Sequence, residues 1–328
     1  MTALAPVLQS YFTRRLAQRR ASPATVAAYR DTFRLLIIFA ADRTGTTPSD
    51  LDIDDLDAEL VGSFLDHLET DRGNSVATRN LRLRAIHSLF HHAAMACPEH
   101  AETIRRVLAI PTKRTDTTIV SYLTRPETDA LLAAPDRAGD LGRRDHALIL
   151  VGVQTGLRVA ELTALSWADV TYGTGANIHT TGKGRKQRIT PLQPVTAKLL
   201  HAWARHRHTE PDQPVFATGA GGHLSTDAVK DLLDKHAAAA GATCPSLTTK
   251  RVTPHTLRHT CAMNLLHVGV DIATIALWLG HASTKTTQMY LHADLQIKQR
   301  ALARTAPTPQ ARARYKPTDN LLAYLESL

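Results

Sequence analysis

A group of chemically active side chains lies within residues 254–292. His255 and Arg258 stand three residues apart at the start of a helical apolar pattern, so they share one helix face. His281 follows a glycine of the kind that ends helices, and Tyr290 comes nine residues later. A guanidinium can fork onto two phosphate oxygens, an imidazole can transfer a proton, and a phenol can attack phosphorus. The combination predicts phosphoryl-transfer chemistry.

This pattern, His-x-x-Arg followed by Leu-Gly-His and then Tyr, resembles the catalytic segment of the tyrosine recombinases, or phage-type integrases. Two upstream segments extend the resemblance. QTGLRVAEL is similar to the box around that family's first catalytic arginine, which would be Arg158 with Glu161 as its acidic companion. TGKGRKQRITPL is similar to the β-hairpin that carries the catalytic lysine, which would be Lys183. Six matches in the family's order are a specific signal.

The resemblance implies a role for each of these residues. Arg158 and Arg258 would hold the non-bridging phosphate oxygens, and His281 would add a donor. Tyr290 would attack the phosphodiester and form a 3′-phosphotyrosyl bond, which conserves the bond energy without ATP. His255 would either accept the tyrosine proton or position the phosphate. We expect no metal and no other cofactor.

The predicted hairpin carries three basic residues in or directly after its turn. Lys183 would protonate the departing 5′ oxygen, and Lys186 competes with it for that role. Arg185 and Lys186 would also contact DNA. The alternative is an ordinary solvated basic turn.

The charge distribution agrees with a polyanionic partner. The 328 residues carry a net charge of +9, with a pI near 9.7. Residues 1–110 hold 13 basic and 13 acidic side chains, so the whole surplus lies after them. The longest apolar runs are far short of the ~18 residues of a membrane span, and no signal peptide is visible. We therefore expect a cytoplasmic bacterial protein that is associated with the nucleoid when bound to DNA.

An amphipathic helix that opens at Ser75 adds a candidate DNA contact. Its predicted buried stripe consists of Leu81, Ala85, Ile86, Leu89 and Phe90. Three arginines fall off that stripe and form either a solvated basic face or a phosphate-contacting surface. They are Arg79, Arg82 and Arg84.

Periodicity and the resemblance together predict a mainly α protein with a small antiparallel β-sheet. The domains would be a helical core-binding domain at 1–110, a linker at 111–121 and a mixed α/β catalytic domain at 122–300. In the family, two such domains close on a DNA duplex as a clamp. The tail, 301–328, would dock on a neighbouring protomer or pack in cis. The expected partners are a double-stranded recombination site, further protomers that form a tetramer, and accessory proteins.

Three other functions fit parts of the sequence. Residues 271–283 have the rhythm of a helix-turn-helix, which predicts a DNA-binding regulator without catalysis but leaves Arg158 and Lys183 unexplained. A metal-dependent hydrolase would need acids interleaved with the histidines. A type IB topoisomerase shares the tyrosine chemistry, and it nicks and rejoins one strand without exchanging partners.

Overall fold

A computed structural model describes residues 3–115, 120–182, 187–207, 209–281 and 286–290. The chain divides into two compact units, Met1–Thr117 and Thr118–Leu328. Lys183, Arg185, Lys186 and the tail at 301–328 lie outside the described residues.

The first unit is helical throughout its described elements. The Ser22 and Ser75 side chains cap two helices by accepting hydrogen bonds from the Thr25 and Thr78 amides, and the helix start predicted at Ser75 is confirmed. A single apolar core joins the helices. The elements are α1 (Leu4–Ser10), a π-helical turn (Tyr11–Leu16), α2 (Pro23–Thr44), α3 (Ala58–Thr70), α4 (Val76–Ala96) and α5 (Ala101–Leu108), with 3₁₀ turns at Asp54–Leu56 and Pro98–His100.

The buried face of α4 differs from the predicted one. Leu81 is 54% exposed, whereas Leu83 is fully buried. Arg79 is 5% exposed, so the prediction that it lies off the buried stripe is wrong. Its guanidinium donates to the Pro111 carbonyl at 3.1 Å and to the Asn80 side chain at 3.2 Å, and a Glu69 carboxylate oxygen lies 4.0 Å from its Nε.

The segment that follows α5 is held against α4. The Asn80 amide group donates to the Lys113 carbonyl at 2.8 Å and accepts from the Lys113 amide at 3.1 Å. Lys113 also pairs with Glu69 at 2.5 Å. Arg79 and Asn80 therefore hold the first residues of the predicted linker against α4.

The second unit combines helices with a three-stranded antiparallel sheet, in the order β1-β2-β3, which confirms the predicted fold class. In the predicted hairpin, Asn177 pairs with Pro191 and Thr181 with Gln187. The helices are α6 (Arg125–Ala133), α7 (Asp140–Thr155), α8 (Val159–Ala164), α9 (Pro194–Arg207), α10 (Thr226–Ala240), α11 (Pro254–His267) and α12 (Ile272–Leu279), with 3₁₀ turns at Trp167–Asp169 and Pro245–Thr249. The strands are β1 (Val170–Thr171), β2 (Asn177–Thr181) and β3 (Gln187–Pro191).

Helices α7, α11 and α12 form the support for the chemically active residues. A capping box formed by Thr124 and Glu127 starts α6, and α12 ends at Gly280 in the left-handed conformation (φ 65°), as predicted. Val268, just past the end of α11, is 78% exposed. In the part of the chain that the structure describes, no helix is long and apolar enough to cross a membrane.

Candidate active site

Two glycines bring the predicted arginines to one place. α7 ends at Gly156 (φ 64°) and α12 at Gly280, each with its backbone in the region that favours glycine. Arg258 on α11 donates to the carbonyls of Gly156, at 2.6 Å, and Leu279, at 2.7 Å. Arg158 donates to the Gly280 carbonyl at 2.9 Å. The ends of two helices thus meet at a pair of guanidinium groups.

The two arginines are exposed to different extents. Arg258 is only 4% exposed, and burial, with repulsion from Arg158, lowers its pKa to about 10. It remains protonated at neutral pH. The Arg158 side chain is 32% exposed, so part of its guanidinium faces solvent. Arg158 can therefore contact an incoming anion directly, with the charge of Arg258 behind it.

Glu161 fixes the orientation of Arg158. Its carboxylate accepts from the Arg158 amide at 2.7 Å and from the Arg158 guanidinium at 2.9 Å. It also accepts two hydrogen bonds from Arg188, at 2.9 and 2.7 Å. Burial alone would raise the pKa of Glu161, but the bonds from Arg188 and Arg158 outweigh it and hold the pKa near 2.

Tyr290 is buried next to two histidines. Tyr290 is 1% exposed, and its phenolic oxygen is hydrogen-bonded to Nδ1 of His259 at 3.0 Å; the tautomer of that ring sets which of the two atoms donates. The rings of His281 and Tyr290 are stacked, with centroids 6.5 Å apart. Burial raises the pKa of Tyr290 to about 12. Burial, with repulsion from neighbouring cations, lowers the pKa of His259 and of His281 to about 4, so both rings are neutral at pH 7.

His255 occupies a different position from the one expected of a proton acceptor. It is exposed on the first turn of α11, and its ring lies 6.3 Å from that of His259, centroid to centroid. His259, which is not among the predicted catalytic residues, is the histidine that bonds to the phenol. His281 bonds through Nδ1 to Thr287 at 2.8 Å. Five of the six predicted catalytic residues therefore lie in one connected group, and Lys183 lies outside the described residues.

Sequence reasoning did not identify Arg188. In β3 the polar residues Arg188 and Thr190 face inward, whereas the apolar Ile189 is 61% exposed. This is the reverse of the arrangement that hydropathy alone predicts for a strand. The available signal was the period of two itself, which places residue 188 on the same face as residue 190.

One group elsewhere in the described residues has the composition of a metal site. Asp52, Asp54 and His100 have ligand atoms within 4.8 Å of one another. His100 Nδ1 is already bonded to the Asp54 carboxylate at 2.8 Å, and Thr103 donates to the same carboxylate. The geometry is accounted for by these hydrogen bonds.

The charge state of Glu161 predicts a dependence of stability on pH. The carboxyl pKa is about 4.3 in an unfolded chain and near 2 here, so the stabilisation is complete above pH ~5 and is lost as pH falls towards 2. Wild type should lose about 1 kcal/mol more than Glu161→Gln between pH 7 and 3.5. Urea unfolding at both pH values measures the difference. Parallel losses in the two proteins would contradict it. Glu127→Gln is the matched control. Burial alone would raise the pKa of Glu127, but hydrogen bonds from Lys250 and Thr124 outweigh that effect and hold the pKa near 2 as well.

Comparison with known proteins gives a consistent result. Residues 121–296 match the model of the phage integrase family, and residues 8–96 match the N-terminal SAM-like domain of phage integrases. The chain is 53% identical over 327 residues to the integrase/recombinase y4rC of Sinorhizobium fredii, covering 99% of this chain and 98% of that protein. It is 30% identical over 279 residues to tyrosine recombinase XerC of Pelobacter propionicus, covering 85% and 87%.

Solved structures share the fold. The Tn1549 transposon integrase in complex with transposon right end DNA aligns with a TM-score of 0.69 at 18% identity, covering 94% of this chain and all of that one. A lambda integrase tetramer bound to a Holliday junction aligns with a TM-score of 0.64 at 20% identity, covering 88% and 77%.

Proposed function

The chain belongs to the phage integrase family, and from this premise we propose that it is a site-specific DNA recombinase that cleaves and rejoins strands through a 3′-phosphotyrosyl intermediate. The observation that carries the proposal is the convergence of Arg158, Arg258 and His281 at the Gly280 turn, with Tyr290 stacked on His281. Two fixed cations beside a phenol suit a phosphodiester that gains negative charge as it is attacked.

Each proposed step uses a group of this chain. The phenolic oxygen of Tyr290 forms a bond to phosphorus, and the bond from phosphorus to the 5′ oxygen breaks. Arg158 and Arg258 stabilise the non-bridging oxygens, His281 donates a hydrogen bond, and Lys183 gives a proton to the 5′ oxygen. A 5′ hydroxyl then attacks the phosphotyrosyl bond and restores the phosphodiester, so that no bond energy is lost.

Attack requires a change at Tyr290. A side chain that is 1% exposed cannot reach a DNA phosphate, so the phenol must leave the cluster in which it packs with Cys261, Met263 and Ile275. His259, neutral and hydrogen-bonded to the phenol, is our candidate to take the proton as the oxygen is exposed. His255, exposed on the turn before it, is the alternative proton acceptor or positions the phosphate.

The DNA-binding residues are also proposals. On α4, Arg84 is exposed and Arg82 partly so, which suits phosphate contact, whereas Arg79 is committed to the protein interior. Arg185 and Lys186 remain candidates from sequence, as does Lys186 for the role given to Lys183. We propose further that protomers assemble as a tetramer on DNA, with the 301–328 segment docking between them, that the chain serves a mobile element, and that it works at the nucleoid with accessory proteins.

Covalent trapping tests the reaction class. The protein is mixed with nicked duplexes taken from DNA that flanks its own gene, and the products are separated on a denaturing gel. A slow-migrating adduct that forms in the presence of a chelator supports tyrosine chemistry without a metal. Specific binding without any adduct would favour the non-catalytic helix-turn-helix regulator, for which the family matches provide no support. Strand exchange between two labelled sites separates a recombinase from a type IB topoisomerase.

A further inference from the structure

Arg188 contacts both groups that hold Arg158. Its two terminal nitrogens donate to the two oxygens of Glu161, and the same carboxylate accepts from the Arg158 amide and guanidinium. The Arg188 and Glu161 side chains are 11% and 6% exposed, so solvent does not compete for the pair.

Arg188 also packs against the turn that accepts from Arg158. A Cβ added at Gly280 would lie 3.0 Å from an Arg188 terminal nitrogen and 3.2 Å from its Cδ. The carbonyl of Gly280 is the second acceptor of Arg158. Arg188 thus closes a ring of contacts that runs from β3 through Glu161 and Arg158 to the end of α12.

We propose that Arg188 is a positioning residue that holds Arg158 on the scissile phosphate by clamping Glu161 against the Gly280 turn, a role that rests on the recombinase function proposed above. Both terminal nitrogens of Arg188 donate to Glu161 and its side chain is 11% exposed, so we assign Arg188 no contact with the substrate. Without it, Arg158 is the one ion-pair partner left to Glu161 among the described residues, and the pair can turn together away from Gly280. A misplaced donor loses much of its effect on the transition state.

A change of substrate charge separates positioning from general stability. Arg158 acts on negative oxygens, so replacing one of them by a methyl group, as in a methylphosphonate, reduces what Arg158 contributes. Single-turnover adduct formation is measured with nicked duplexes that carry either a phosphate or a methylphosphonate at the scissile position. Arg188→Met should slow cleavage of the phosphate about 10-fold or more, and of the methylphosphonate by less than about 3-fold.

Two further variants make the test specific. Arg188→Lys keeps a cation that can reach one oxygen of Glu161 and should recover part of the phosphate-specific rate, and it serves as the working variant if Arg188→Met does not fold. In a chain that already carries Arg158→Met, adduct formation is followed on the methylphosphonate duplex. Adding Arg188→Met to that chain should cause no further loss of rate, because the residue to be positioned is absent.

The chain offers a matched ion pair as a control. Arg144 donates to Asp145 at 2.7 Å, with side chains 12% and 8% exposed, and it lies twelve residues before the Gly156 end of α7, about 18 Å along the helix axis. Arg144→Met should lower the melting temperature as Arg188→Met does, yet slow both substrates equally.

The outcomes distinguish this role from the function on which it rests. Adduct formation by wild type establishes the recombinase chemistry independently of any variant, and its absence on every site overturns both. Given that adduct, a phosphate-specific defect in Arg188→Met supports the positioning role. Equal losses on the two linkages, or full additivity with Arg158→Met, would show that Arg188 only stabilises the fold.

Discussion

Tyr290→Phe should abolish covalent adduct formation while leaving DNA binding within about 2-fold of wild type. The substitution removes only the attacking oxygen, and the ring continues to fill its place in the apolar cluster around α11 and α12. The lost hydrogen bond leaves Nδ1 of His259 without its partner, which costs about 1 kcal/mol of stability. Trapping on nicked duplexes measures adduct formation, a gel shift measures DNA binding, and urea unfolding measures stability.

A second tyrosine in the same domain provides the control. Burial raises the pKa of Tyr172 to about 12, as it does for Tyr290. Tyr172→Phe, like Tyr290→Phe, removes a single hydroxyl group that is shielded from solvent. It should nevertheless form adduct at the wild-type rate. Adduct formation by Tyr290→Phe would mean that another residue supplies the nucleophile.

Arg258→Ala should lower both the cleavage rate and the stability. The guanidinium donates to the carbonyls of Gly156 and Leu279, which the substitution leaves buried and unpaired. We expect a loss of roughly 2–4 kcal/mol from these acceptors and from the cavity. Loss of a fixed cation at the phosphate should reduce the rate of adduct formation about 10²–10³-fold. Single-turnover trapping and urea unfolding separate the two effects.

Arg258→Lys distinguishes charge from geometry. The ammonium keeps the positive charge, but it cannot hold two carbonyls in the fixed fork of a guanidinium. It should recover part of the stability and less of the rate. If Arg258→Ala remains folded and cleaves within about 10-fold of wild type, then Arg258 supports the two helix ends and has no direct part in the chemistry.

Motif spacing predicted the residues of the site but not how they contact one another. Six ordered matches selected Arg158, Lys183, His255, Arg258, His281 and Tyr290 as candidates, and Ser75 and Gly280 predicted one helix start and one helix end. These features are local, so one sequence is enough to recognise them.

The differences arise where tertiary contacts override local pattern. The bond from Tyr290 to His259 rather than to His255 depends on how the last described turn packs on α11. Ile189 faces outward and Arg188 inward because Glu161, 27 residues earlier, supplies the acceptor for a buried cation. Hydropathy alone assigns those two residues to the opposite faces.

The burial of Arg79 bears on how this protein responds to salt. Each phosphate that a basic side chain neutralises releases condensed counterions and contributes about 0.9 to the slope of log affinity against log salt concentration. Arg84 is exposed and can contribute to that slope, but Arg79 is bonded to Pro111 and Asn80 and cannot. Arg84→Ala should reduce the slope by about 0.9, and Arg79→Met should leave it unchanged. We therefore expect the affinity for DNA to fall less steeply with salt concentration than it would if every arginine on α4 contacted a phosphate.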